Sequence, residues 1–172
     1  MNVQPFATRD RELVVVRRFA VPRERLFLAW TEPAQLVRWW GPHGFSSPGC
    51  ELDVRAGGRY RIVMRGPDGG EYALSGVYRE VLAPRRLVFT DDCSGHPQAW
   101  SGLRDPRPAD EDEPASLDAL ATVSFAARAG GTLLGIRTRY ASVAIRDAML
   151  RLGMLENWAQ SLERLARYLG EG

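Results

Sequence analysis

The chain has 172 residues, enough for one domain with a substantial core. Its formal net charge is only +2 and its acidic and basic residues are interspersed, so the composition argues against a nucleic-acid partner. The sequence contains arginine but no lysine, which excludes Schiff-base catalysis by lysine and the phosphate-binding lysine of a P-loop.

Charge and cysteine content bear on the location of the protein. Residues 1–19 carry charges at positions 9–12 and no long apolar run, so a signal peptide is not expected. No segment approaches the about 20 apolar residues of a membrane span. Cys50 and Cys93 are too few for a disulfide framework. These features predict a cytoplasmic protein with reduced thiols and a flexible N-terminus over residues 1–10.

The first predicted elements are a strand and two short helices. Residues 12–21 (ELVVVRRFAV) are rich in β-branched side chains, which favours a strand. Pro22 suits the start of a helix over 23–30. Thr31 is then the predicted N-cap of a second short helix over 33–40.

Alternating apolar and polar residues predict six further strands. In the second of them, Tyr60, Ile62 and Met64 face one way, and the opposite face carries Arg59, Arg61 and Val63. Turns that contain glycine or proline separate most of these runs. The predicted strands are 50–55, 59–64, 71–81, 85–92, 119–127 and 132–140.

The glycine pair in DVRAGGRY (Asp53–Tyr60) admits two interpretations. A phosphate-binding loop places its glycines between a strand and the N-terminus of a helix. Here Gly57 and Gly58 join two alternating strands, and no helix or lysine follows. The pattern favours a hairpin, in which glycine supplies a positive φ.

Two long segments complete the pattern. Residues 93–118 are rich in Pro, Asp and Glu, which predicts a long loop. Residues 142–169 predict one C-terminal helix, because Trp158, Leu162 and Leu165 continue in a stripe to Leu169.

Taken in order, these segments resemble the SRPBCC, or START-like, superfamily, and within it the branch homologous to the C-terminal domain of the heat-shock protein 90 ATPase activator. The most specific likenesses are the Trp-Thr-x-Pro after the first helix, the Trp-Trp-Gly-Pro, the Asp-x-Arg-x-Gly-Gly hairpin and the C-terminal helix with its tryptophan. The matching segments are 17–42, 51–72, 76–90, 130–140 and 153–169.

The resemblance implies an α+β, helix-grip fold over residues 1–172. In this START-like domain a curved antiparallel sheet wraps around a long C-terminal helix, and two short helices follow the first strand. The strands and helices predicted above agree with that arrangement. Such folds often hold an apolar cavity, and members bind lipids, hormones or polyketides, while some are cyclases. The chain departs from the family at Asn157, where glycine is usual, and in the length of segment 93–118, so the identity of the ligand is not inherited. Coupling to a chaperone is not expected either, because the eukaryotic activator has an additional N-terminal domain that this sequence is not expected to have.

Metal and catalytic sites have weaker signals. Cys93-x-x-His96 has a spacing that zinc accepts, but His43 and Cys50 lie seven residues apart and Cys50 falls on the apolar face of its strand. The favoured reading is no metal and no cofactor. Asp91-Asp92 is expected at the solvent-exposed end of a strand, and Glu156 lies opposite the Trp158 stripe. No GxSxG motif or catalytic constellation is present.

The fold implied by the resemblance turns several apolar side chains toward one cavity. The predicted lining is Trp40, Tyr60, Ile62, Met64, Phe125, Tyr140, Met154 and Trp158. Three functions are then open: a protein that binds an apolar or amphipathic small molecule, an enzyme of the cyclase or hydrolase type in the same cavity, or a chaperone partner with a filled core. The first is favoured, and self-association as a homodimer is left open.

Overall fold

The computed structural model describes residues 4–6, 11–92 and 119–171, and the side chains of all of these except 4–6. The described residues form eight strands and four helices in an α+β arrangement. In chain order these are β1 (Gln4–Phe6), β2 (Glu12–Phe19), α1 (Arg23–Thr31), α2 (Pro33–Leu36), β3 (Ser46–Leu52), β4 (Arg59–Arg65), β5 (Glu71–Leu82), β6 (Arg86–Asp91), β7 (Ala119–Arg128), β8 (Gly131–Arg139), α3 (Val143–Arg151) and α4 (Met154–Tyr168).

All strands join one antiparallel sheet in the order β1-β2-β8-β7-β6-β5-β4-β3. Gln4–Phe6 pairs with β2 as a short edge strand that the sequence pattern did not predict. Residues 1–3 and 7–10 lie outside the described part of the chain. The predicted loop 93–118 lies outside the described residues altogether.

The strands follow the alternation of the sequence, because one face of the sheet is covered and the other meets solvent. On β2, Leu13, Val15 and Phe19 are buried, and on β7 every second residue from Ala119 to Phe125 is buried. The Ala56-Gly57-Gly58 turn joins β3 to β4, with Gly57 at φ +85°. The hairpin prediction is therefore confirmed.

The two short helices differ in detail from prediction. Helix α1 continues through Thr31, whose Oγ1 donates to the carbonyl of Phe27 at 2.9 Å. Since this hydroxyl is turned back along α1, Thr31 does not cap α2, and Glu32 takes that position instead. Helix α2 is a single turn, Pro33–Leu36, and residues 37–39 continue as turns rather than helix.

The single C-terminal helix predicted over 142–169 is wrong, because the chain forms two helices there. Ser142 caps α3, its Oγ accepting from the backbone N–H of Ile145. Gly153 then adopts φ +83°, a left-handed conformation that separates α3 from α4. Helix α4 presents Leu162, Leu165 and Leu169 to the core.

The main core lies between the concave face of the sheet, α1 and α4. Among its fully buried members are Phe19, Trp39, Phe125 and Leu165. The architecture is that of a helix-grip fold, so the predicted fold class is confirmed. None of the described helices has the length and apolar composition that a membrane span requires.

Candidate functional site

A cavity of about 170 Å³ separates the concave face of the sheet from the C-terminal helices. Strands β4 to β8 contribute one wall through residues such as Tyr60, Phe89 and Thr138, while Met149 of α3 and Trp158 of α4 lie in the opposite wall. The loop 40–45, between α2 and β3, completes the lining. Most of this surface is apolar, which suits an apolar or amphipathic guest.

Six of the eight predicted lining residues meet at this cavity. They are Trp40, Tyr60, Met64, Tyr140, Met154 and Trp158.

The other two predicted residues, Ile62 and Phe125, do not line the main cavity. Ile62 is 3% exposed and lies against a separate void of about 20 Å³ beside Trp30 and Leu52. Phe125 is fully packed, with its ring 5.2 Å from that of Phe27 in an edge-on contact. Both face the concave side as expected, but α1 and its neighbours cover them. Strand alternation predicts which face of the sheet a side chain occupies, but it does not predict what covers that side chain.

Several polar groups that the sequence pattern did not predict also line the cavity, including Thr138, Asn157 and Ser161. Asp91, expected at the solvent-exposed end of its strand, lines the cavity as well. The signal that could have found it is the spacing of Leu87, Phe89 and Asp91, which puts all three on one face of β6. Glu156 is exposed, as predicted.

Four tryptophans form a continuous cluster, and two of them line the cavity. Trp30 lies 4.9 Å from Trp39 and 6.0 Å from Trp158, with which it stacks at an interplanar angle of 22°. Trp40 meets Trp158 edge-on at 5.6 Å. Trp39 is fully buried, and its indole N–H donates to the carbonyl of Ala29 at 2.9 Å. These contacts hold Trp40 and Trp158, two of the lining residues, in defined positions.

The loop 40–45 is fastened to α4 by side chains one turn apart. Arg164 Nη1 donates to the carbonyls of Trp40, Gly41 and Pro42 at 3.1, 2.9 and 3.2 Å. The backbone N–H of His43 donates to Gln160 Oε1 at 3.0 Å, and its ring Nε2 lies 2.9 Å from Glu163 Oε2. Spacing i, i+3, i+4 places all three anchors on one face of the helix.

Several ionisable groups respond to these surroundings. Burial lowers the pKa of Arg164, and the hydrogen bond with His43 lowers the pKa of Glu163. Burial, reinforced by the Glu51 carboxylate, raises the pKa of the Cys50 thiol to about 11. Burial also raises the pKa of Tyr78, with smaller contributions from Cys50 and Asp53.

The metal candidates do not assemble within the described residues. There, no three side chains of His, Cys, Asp or Glu come close enough together to hold a metal ion. Cys50 is a free thiol, partly buried against the core. Cys93 and His96 lie outside the described part of the chain.

The model of the activator of Hsp90 ATPase homolog 1-like family matches residues 20–170. Three solved structures are similar over nearly the whole chain. A protein from Arthrobacter aurescens is 25% identical with a TM-score of 0.80, covering 100% of this chain and 94% of its own. Protein NE0264 from Nitrosomonas europaea is 25% identical with a TM-score of 0.74, covering 93% and 94%.

The third is the AHSA1 protein from Silicibacter pomeroyi, which is 26% identical with a TM-score of 0.67 and covers 92% of this chain and 97% of its own. No curated protein matches the sequence. Because the family model covers far more than half of the chain, the protein belongs to the activator of Hsp90 ATPase homolog 1-like family of the SRPBCC superfamily.

Proposed function

We propose that this protein binds an apolar or amphipathic small molecule in the cavity between the sheet and the C-terminal helices. The observation that carries the proposal is the cavity itself, about 170 Å³ with a mostly apolar lining. An engineered apolar cavity of about 150 Å³ is large enough to bind benzene. The space therefore suits one aromatic ring or a short branched chain, or that part of a longer molecule.

The energetics of packing support the same proposal. Protein interiors are close-packed, and a core void costs about 24 cal/mol for each Å³ left empty. A chain selected only to present a stable surface to a chaperone would fill this space with larger side chains. Instead, Ala121, Ser161 and Thr138 line it with small ones. A binding function explains why the space is kept.

The test is a titration with the neutral fluorescent probe N-phenyl-1-naphthylamine. We expect saturable binding to the wild-type protein and its loss in Ala121→Phe, because the new ring occupies the cavity. Ala126→Phe is the matched control, since Ala126 lies on the opposite face of the same strand. Met64→Ala enlarges the cavity and is expected to change the affinity while costing less than the 2–5 kcal/mol of a well-packed core truncation.

The same experiment distinguishes a ligand-binding protein from the alternative, a chaperone partner whose core is filled. Absence of probe binding to the wild type, together with a core-sized loss of stability in Met64→Ala, would overturn the binding proposal in favour of that alternative.

A further inference from the structure

The indole N–H of Trp30 has no hydrogen-bond acceptor among the described residues. The side chain is only 3% exposed, because the spacing of Leu26, Phe27 and Trp30 along α1 turns all three to the core. A buried indole N–H ordinarily finds an acceptor, since leaving the donor unpaired is destabilising. Trp39, in the same cluster, does so through the carbonyl of Ala29. The position of Trp30 therefore calls for an explanation.

The aromatic neighbours of Trp30 cannot accept this hydrogen bond as an oxygen atom would. Its ring contacts have centroid distances of 4.9 to 6.2 Å, and they are with Trp39, Trp40, Phe125 and Trp158. Indole and phenyl side chains offer no acceptor lone pair. Trp30 also borders the void of about 20 Å³ that Ile62 lines. The unpaired donor thus belongs to a side chain that meets unfilled space.

This small space, which we call the rear void, adjoins the main cavity. Trp40, Tyr60 and Phe89 line both spaces, so a layer one side chain thick divides them. Tyr60 is tied to β6 through its hydroxyl, whereas Trp40 and Phe89 are only partly buried. A guest in the main cavity therefore needs to displace only one side chain, Trp40 or Phe89, to reach the rear void and Trp30.

The size and the charge of the rear void limit what can enter it. Its volume of about 20 Å³ exceeds the about 10–15 Å³ that one water molecule needs, so it accommodates one small polar group. None of the described residues that line it is acidic or basic. Burial raises the pKa of the Tyr78 hydroxyl, so this lining residue stays neutral. Because an ionised group is costly to bury without a partner, the void favours a neutral acceptor over a carboxylate.

We propose that the cavity selects apolar molecules with a neutral hydrogen-bond acceptor at their inner end, and that this acceptor binds the indole N–H of Trp30. The proposal deepens the ligand-binding function above and rests on it. Aryl ketones, esters and ethers have the required form, with the ring in the main cavity and one oxygen in the rear void. Carboxylic acids that are ionised at neutral pH are excluded as preferred guests.

Three probes of one shape test the proposal. Acetophenone carries a carbonyl acceptor, α-methylstyrene has a methylene group in place of the carbonyl oxygen, and benzoate carries a charged acceptor. Dissociation constants are measured for each by NMR titration. In the wild type we expect acetophenone to bind at least about tenfold more tightly than benzoate, because burial of the carboxylate charge is costly.

Substitutions of two neighbouring tryptophans assign the preference to one indole. Trp30→Phe removes the donor, and we expect it to lower the affinity for acetophenone relative to α-methylstyrene at least about fivefold. Trp39→Phe is the matched control, because Trp39 lies in the same cluster but lines neither space. It is expected to leave that ratio within about twofold, since its N–H donates to Ala29 instead. Thermal melts establish that each variant folds.

A spectroscopic measurement on the wild type makes the test independent of whether the variants fold. A hydrogen bond moves an indole proton signal downfield. We expect acetophenone to move the Trp30 indole signal of ¹⁵N-labelled protein downfield relative to its position with α-methylstyrene. Both probes carry the same ring, so the effects of ring currents cancel in this comparison. The signal is assigned through its nuclear Overhauser contacts with the Phe125 ring, which lies 6.2 Å from that of Trp30.

The outcomes separate the two proposals. Suppose that N-phenyl-1-naphthylamine binds. The acceptor preference is then overturned, while ligand binding stands, if acetophenone fails to bind or shows no preference over benzoate. It is overturned equally if the Trp30 signal has the same position with acetophenone and α-methylstyrene, or if a folded Trp30→Phe leaves their affinity ratio unchanged. If neither N-phenyl-1-naphthylamine nor any of the three probes binds, both proposals are overturned.

Discussion

At the scale of single residues, the pairing of Tyr60 with Gly76 sets the floor of the cavity. The two are direct partners across β4 and β5. The ring of Tyr60 covers the glycine, and its hydroxyl donates to the carbonyl of Thr90 at 2.6 Å. A Cβ atom at position 76 would lie 1.8 Å from Thr90 O and 2.7 Å from Tyr60 Cε1. Only glycine lets the ring lie on the strand and reach β6.

We therefore expect Gly76→Ala to lower the free energy of unfolding by about 2 kcal/mol or more, as for other overpacked sites. Denaturant unfolding measures it. Gly49→Ala is the control, because its added methyl group would meet nothing closer than Val63 Cγ2 at 3.7 Å. An equal effect at both positions would contradict the steric explanation.

The Cys50 thiol gives a second residue-scale prediction. With a pKa raised to about 11, its thiolate fraction at pH 8 is about one thousandth, whereas an ordinary thiol of pKa about 8.5 is about one quarter ionised. In a Cys93→Ser background, we expect iodoacetamide to react with Cys50 at least about a hundredfold more slowly than with free cysteine. The rate should rise with pH up to about 11; a plateau reached near pH 8.5 would contradict this assignment.

The raised pKa of Cys50 also makes the stability of the protein depend on pH. The pKa of Cys50 in the folded protein is raised above that of an ordinary thiol, so the neutral thiol contributes to stability below about pH 9. That contribution is lost as the pH rises from about 9 to about 11.

At the scale of elements, α4 holds the loop 40–45 over the cavity mainly through Arg164. A hydrogen bond from a charged donor contributes about 1.5–3 kcal/mol to the free energy of unfolding. Arg164→Leu removes the single Nη1 donor that three carbonyls share, so the three contacts do not add up as independent hydrogen bonds. We expect a loss of about 2–3 kcal/mol in unfolding free energy and faster amide hydrogen exchange in residues 40–45.

Arg167→Leu is the matched control for Arg164, because Arg167 lies one turn on and is exposed. Unchanged exchange in 40–45 after Arg164→Leu would show that Gln160 and Glu163 hold the loop without it.

Elements were predictable where alternation or a stripe was uninterrupted, as in β2, β7 and the body of α4. Two errors came from single residues whose effect depends on tertiary context. Gly153 lies inside the single helix predicted over 142–169, yet its left-handed conformation divides α3 from α4. Strand β3 begins at Ser46 rather than at 50, since an edge strand accommodates Pro48 and a shift of register that would disrupt an inner strand.

At the scale of the whole molecule, segment 93–118 joins two strands that are already neighbours. Asp91 and Ala119 are direct partners, so the sheet needs only a short connection there. Replacing 93–118 with a short Gly/Ser linker is expected to keep the melting temperature within a few degrees, because shortening the closed loop saves only about 1.5 kcal/mol of entropy. A collapse in stability would instead show that Trp100 or Leu103 contributes to the core.

The site was predictable only as far as strand faces and the family fold allowed. Tyr60, Met64 and Tyr140 follow from alternation, and the helix-grip arrangement brings Met154 and Trp158 opposite them. Ile62 and Phe125 do not line the cavity, because helix α1 and its neighbours cover them. The extent of that cover depends on tertiary packing, which a local sequence pattern does not contain. Asp91 was missed because a charged residue at a strand end is ordinarily solvated, and its register against Ala119 is not visible in a local pattern.

The tryptophan cluster also has an optical consequence. Five indole pairs among Trp30, Trp39, Trp40 and Trp158 have centroids within 6.0 Å of one another. At such separations the transition dipoles couple, and the coupled transitions divide into circular-dichroism bands of opposite sign whose strength depends on the angle between the rings. Because Trp40 and Trp158 line the cavity, a guest that rotates either ring alters this exciton couplet. If the proposed ligand binding takes place, the circular-dichroism spectrum of the tryptophan cluster would report it without any label.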